Sequence, residues 1–100
     1  MRAALELTIT VHVGGHLRGY ATRSEEVYIQ GAKDVLDVIK QLDAKFPSIR
    51  DRVLDEHDKT RPYINIFVND ENARDLQGEA TRLRDGDVIY ILPSVAGGMG

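Results

Sequence analysis

The sequence predicts an α+β domain, a mixed sheet of four to five strands with one main helix packed on one face. Three observations predict it. Residues 5–13 alternate apolar and polar without a fault. Residues 33–46 change to a helical period, and a strongly apolar run from Val88 to Leu92 stops at Pro93. A chain of 100 residues holds one domain with one modest core.

Leu5-Glu6-Leu7-Thr8-Ile9-Thr10-Val11-His12-Val13 has period two, so one face is buried and one is wet. Gly14-Gly15 marks a turn, and a polar stretch from His16 to Ser24 follows. Val27 and Ile29 alternate with Glu26, Tyr28 and Gln30 as a second strand that Gly31 ends. From Lys33 to Phe46, the residues Val35, Leu36, Ile39, Leu42 and Phe46 fall on one helical face. Asp34 and Asp37 lie near its start, where carboxylates favour the positive end of the helix dipole. No capping side chain is read ahead of the helix, and Pro47 stops it.

Residues 47–61 are charged, with Ile49, Val53 and Leu54 as apolar points, and predict one or two helical turns over the core. The run 62–68 is a third strand, with Ile64, Ile66 and Val68 on one face. Asn69-Asp70 is a turn, Asn72 to Leu76 a short fourth strand, Asp85-Gly86-Asp87 another turn, and Val88 to Leu92 the last strand. A hairpin, one crossing helix and further strands let the first and last strands pair in parallel at the sheet centre, with helix and sheet sharing one core. That order is the β-grasp, or ubiquitin-like, architecture. Residues 1–93 are read as the domain and 94–100 as a flexible tail.

Composition narrows the function. Thirteen basic against 16 acidic residues, a net charge of −3, argues against a nucleic-acid binder. The absence of a long apolar run argues against a membrane span, and residues 1–4 lead into the first strand without a signal peptide. The chain contains no cysteine, which removes disulfides, thiolate metal sites and a nucleophilic thiol, and makes the cytoplasm the default location. His12, His16 and His57 are scattered along the chain. Asp55-Glu56-His57-Asp58 reads as a solvated charged loop rather than a metal site, and Asp85 and Asp87 as turn residues. No base–nucleophile pair points to an enzyme.

The tail carries the strongest functional signal. Gly97-Gly98 is a thin peptide without Cβ atoms, able to thread a narrow channel and expose its carbonyl to attack. Upstream of it, Tyr90 and Leu92 are expected to point away from the core, with Phe67 beside them on the third strand. Such an exposed patch is a candidate docking surface for a partner.

Three segments taken together resemble the MoaD/ThiS-type sulfur carriers, and most of all their cysteine-biosynthesis subgroup. They are residues 61–70 (RPYINIFVND), 83–88 (LRDGDV) and 91–98 (ILPSVAGG). The resemblance implies a carrier rather than an enzyme. It binds no cofactor itself, and an E1-like adenylating enzyme uses ATP to activate the carboxylate of Gly98. Sulfur then displaces AMP to give a thiocarboxylate that a sulfur-accepting biosynthetic enzyme consumes. Members of this family usually end at the second glycine, whereas Met99-Gly100 follow here. That departure implies a precursor cut between Gly98 and Met99, as a JAMM-type zinc peptidase does in some relatives. Two alternatives stay open: a modifier conjugated through Gly98 to lysines of other proteins, and a non-covalent β-grasp interaction domain.

Overall fold

A computed structural model describes residues 7–14 and 25–93. Five strands form one sheet: β1 (Thr8–Val13), β2 (Glu25–Gln30), β3 (Ile64–Val68), β4 (Glu71–Asn72) and β5 (Val88–Pro93). Two helices, α1 (Val35–Lys45) and α2 (Ile49–Val53), lie between β2 and β3, and two 3₁₀ turns, Ala73–Asp75 and Gly78–Ala80, between β4 and β5. The strand order is β2-β1-β5-β3-β4. β1 and β5 run parallel at the centre, and every other neighbour pair is antiparallel. The expected β-grasp order is therefore present. Among the described residues, no helix is long and apolar enough to cross a membrane.

Period two sets the inner face. Ile9, Val11 and Val13 of β1, Ile64, Ile66 and Val68 of β3, and Ile89 and Ile91 of β5 are all buried. Against them α1 seats Val35, Val38, Ile39 and Leu42, and α2 adds Ile49 and Val53. Here the structure corrects the helical face read from the sequence. Val38 is fully buried, whereas Leu36 and Phe46 are only partly buried at the flank of the core. Leu36 lies one residue past Val35, about 100° round the helix, and lines a shallow groove with Lys59 and Ala80 instead.

The helix start is also corrected, because Asp34 is a true N-cap. Its Oδ1 accepts the Asp37 amide at 2.9 Å, and Asp37 Oδ2 accepts the Lys33 amide at 3.0 Å. This is a near relative of the capping box, built from two aspartates. α2 has no cap from its own Ser48; Asp43 of α1 accepts the Ser48 and Arg50 amides at 3.0 and 3.1 Å. The fourth strand is shorter and earlier than expected. It is Glu71–Asn72, and the chain then tightens into a 3₁₀ turn because Asn72 caps the Arg74 amide at 2.9 Å.

The turns at the β5 entry fix the register of the sheet. Asp85 Oδ1 accepts the Thr8 amide at 2.9 Å. Asp87 accepts the Arg84 amide at 2.8 Å and the Asn69 side-chain amide at 3.1 Å, while Asn69 Oδ1 accepts the Val88 amide at 3.0 Å. Gly86, at φ +92°, takes the left-handed conformation that this turn requires. Asp85 and Asp87 are thus committed to holding strand ends together.

The segment between α2 and β3 is held the same way. Asp55 Oδ1 accepts the His57 and Lys59 amides, and these bonds lower its carboxyl pKa. Glu79 Oε2 accepts the Thr60 amide and hydroxyl at 2.6 and 2.7 Å. Burial pushes the Glu79 carboxyl up, but the Thr60 hydroxyl and amide outweigh it and hold the group below its ordinary 4.5.

Val38→Asp is expected to destabilise the fold by roughly 3 kcal/mol or more in urea titration, and Leu36→Asp by clearly less. Equal costs would mean that the helix seats on its other flank. A carboxyl whose folded pKa is lowered contributes stability that is complete above its unfolded value and lost as pH falls through the folded one. Glu79→Gln should therefore cost about 1 kcal/mol at neutral pH, after allowance for its solvent exposure. The same variant should flatten the loss of stability seen on acidification below pH 4.5, a difference that melting curves across the acid range will read.

Candidate functional site

The outer face of the sheet is built by the alternation that buries the inner one. Register then aligns one residue from each strand in a row. Glu26 of β2 stands opposite His12 of β1, and His12 pairs with Tyr90 of β5. Tyr90 in turn stands opposite Phe67 of β3, and Phe67 opposite Asn72 of β4. The neighbouring row toward the end of β5 sets Leu92 opposite Asn65. Phe67, Tyr90 and Leu92 therefore share one face, as the sequence placed them. Tyr90 and Leu92 are 38% and 37% exposed, and Phe67 is half-buried between its neighbours.

The row has a member that the sequence reading left among scattered histidines. The His12 ring stacks on Tyr90 with centroids 4.7 Å apart and planes within 10°. Its Nε2 lies 3.7 Å from Glu26 Oε2. Alternation along β1 was enough to turn His12 outward, but the parallel register that sets it on Tyr90 joins segments 78 residues apart. No local signal carries that pairing.

Leu92 closes the patch toward the chain end. A Cβ placed on Gly14 would come within 3.0 Å of Leu92 Cδ2, so the backbone after β1 approaches this side chain closely. The Gly14 amide also donates to the Ile91 carbonyl at 3.1 Å. The result is a half-apolar stripe with aromatic centres, polar at both ends through Glu26 and Asn72. Such a surface suits reversible protein contact. β5 runs through the middle of it and leaves the sheet at Pro93. Gly97, Gly98 and Met99, the residues named for activation and processing, lie outside the described residues, as does His16.

Elsewhere, His57 is exposed on the loop that Asp55 holds, with its ring Nε2 3.8 Å from Glu56. Among the described residues, no group of three or more His, Asp or Glu side chains is arranged to hold a metal ion.

Comparison with known proteins agrees with this geometry. Residues 11–98 match the model of the ThiS family. The sulfur carrier protein CysO of Mycobacterium tuberculosis is 38% identical over 95 residues, covering 92% of this chain and all of the relative. A chain of the Amycolatopsis orientalis BexX/CysO complex superposes with a TM-score of 0.80 at 34% identity, over 90% of this chain and 99% of that one. The small archaeal modifier protein 1 of Methanosarcina acetivorans superposes with a TM-score of 0.78 at 33% identity, over 93% and 98% of the two chains.

Replacing Tyr90 with Leu should remove the ring-current shift of the His12 ring protons in a proton NMR spectrum. It should cost about 1 kcal/mol of stability. An unshifted His12 resonance in the unaltered protein would mean that the two rings do not stack in solution.

Proposed function

The chain belongs to the ThiS family of ubiquitin-like sulfur carriers, and from that premise we propose that it carries sulfur on the carbonyl of Gly98. The observation that supports this most directly is the continuity of β5. The strand that presents Tyr90 and Leu92 on an exposed face is the strand from which the tail departs. The family match also extends to residue 98 and stops short of Met99-Gly100.

The reaction begins with removal of Met99-Gly100 by a peptidase of the JAMM zinc type, which frees the Gly98 carboxylate. An E1-like adenylating enzyme then docks on Phe67, Tyr90 and Leu92. The five residues that follow Pro93, up to Gly98, span at most about 17 Å when extended, so the docking face must sit close to the adenylation centre. A carboxylate oxygen of Gly98 attacks the α-phosphorus of ATP and pyrophosphate leaves. A sulfur nucleophile next attacks the activated carbonyl and AMP leaves, giving the thiocarboxylate. A biosynthetic enzyme that accepts sulfur consumes it. The carrier needs no base or metal of its own, because the activating enzyme supplies the leaving group and the sulfur comes from outside.

Conjugation through Gly98 to lysines is the second reading. It is favoured by a relative named small archaeal modifier protein 3, 36% identical over 62 residues. Both readings share activation at Gly98 and diverge only in the acceptor.

Incubation with the E1-like enzyme, ATP and sulfide, followed by intact-mass measurement, tests the proposal. Protein ending at Gly98 should exchange one oxygen for sulfur, and protein retaining Met99-Gly100 should not. Tyr90→Asp should weaken docking at least about tenfold. Activation of the uncut chain at an equal rate would overturn the precursor step, and failure of the Gly98-ended form would overturn the carrier reading. Isopeptide-linked adducts without a thiocarboxylate would favour the modifier.

A further inference from the structure

The root of the tail is braced by a side chain from outside the docking face. In the sheet, Pro93 stands opposite Ile64, so the first residue of β3 is the last rung that β5 meets before residue 94. The Ile64 amide donates to the Arg61 carbonyl at 3.0 Å and closes a turn over Pro62 and Tyr63. On the far side of β3, β4 pairs only with Phe67 and Val68. At Ile64 the donor is a guanidinium instead of a ladder amide. Arg74 Nη2 donates to the Ile64 carbonyl at 2.8 Å and to the Arg61 carbonyl at 3.0 Å, and Nη1 donates to Asn65 Oδ1 at 3.0 Å.

Arg74 is exposed, yet it is held at both ends of its side chain. Its backbone is fixed by the Asn72 cap and by burial of Ala73 next to it. Its head group spends three of five N–H donors on neutral oxygens. A long cationic side chain on a surface ordinarily keeps its rotamer freedom, since fixing it costs conformational entropy. Here that freedom is given up where the sheet edge is otherwise too short to hold the tail's last partner.

We propose that Arg74 is a positioning residue for activation of the tail. By bridging the Arg61 and Ile64 carbonyls it stiffens the rung under Pro93, and so fixes the chain at Pro93, the residue from which the tail starts. A docked carrier then delivers Gly98 to the adenylating centre from a fixed origin at Pro93. This inference rests on the carrier reading. A planar fork is required, because an ammonium is a point charge that cannot span two carbonyls and an amide with the same geometry. Misplacement of a reacting group by about 1 Å costs on the order of a hundredfold in rate.

The test uses protein ending at Gly98, with Arg74→Met and Arg74→Lys as variants. Both should lower kcat for adenylation about tenfold and leave KM for the carrier unchanged, because the docking face is intact. A purely structural Arg74 would lower the melting temperature yet leave kcat of the folded protein at its original value, which overturns the inference. A raised KM with unchanged kcat would make Arg74 a docking contact and overturn it as well. Residual dipolar couplings of the Ile64, Asn65 and Leu92 amides, measured without any enzyme, should be sizeable in the unaltered protein and shrink in Arg74→Met. Couplings that do not respond to the variant count against the inference whatever the kinetics. If the unaltered protein is not adenylated at all, the carrier reading fails first and takes the kinetic role of Arg74 with it.

Discussion

The parallel pairing of β1 with β5 is the constraint on which the rest of the structure depends. It sets the first and last strands side by side at the centre, with β2 and β3 on either flank. Side chains alternate along a strand, so a slip of one residue in β5 would bury Tyr90 and Leu92 and expose Ile89 and Ile91. Such a slip is blocked at the strand entry. Asp85 holds the start of β1, while Asp87 and Asn69 lock the start of β5 to the end of β3. Three short polar side chains thereby choose which face of β5 meets solvent.

That choice divides the labour of the molecule between two faces. The inner face is closed by α1 and α2, whose Val35, Val38, Ile39, Leu42, Ile49 and Val53 complete the core. The outer face keeps an aromatic stripe with His12 stacked on Tyr90. β5 belongs to both, carrying Ile89 and Ile91 inward, Tyr90 and Leu92 outward, and the chain itself toward the tail. On the proposed reading, in which Gly98 is the reactive end, this one strand would link recognition to delivery. The bracing of Ile64 by Arg74 belongs to the same logic, since a short edge strand leaves the exit rung in need of another donor.

Much of this was legible from pattern alone. The fault-free alternation of residues 5–13 announced a strand with one wet face, and β1, Thr8–Val13, pairs along its whole length. The helix was legible too, but its face was misjudged by one position. Leu36 and Val38 are both apolar and both near Val35 in sequence, and only the seating of the helix on the sheet separates a buried residue from a flanking one. The Asp34 cap was read as a dipole effect because its geometry depends on an extended backbone at the residue itself. The short fourth strand was displaced because Asn72, polar and compatible with either state, caps a 3₁₀ turn rather than extending the strand.

Local chemistry therefore sufficed for the main strands, the main helix, their order and the family, but not for the stretch after Asn72. Periodicity, turn residues and the spacing of a few segments act within short stretches of chain, and they remain visible before the chain folds. Partnership between distant strands is a different kind of information. The stack of His12 on Tyr90, the opposition of Phe67 to Tyr90 and the reach of Arg74 to Ile64 all require registers set by the whole sheet. Those registers emerge only when the core closes, because burial of Ile9, Val11, Ile89 and Ile91 on one side leaves their neighbours a single arrangement on the other.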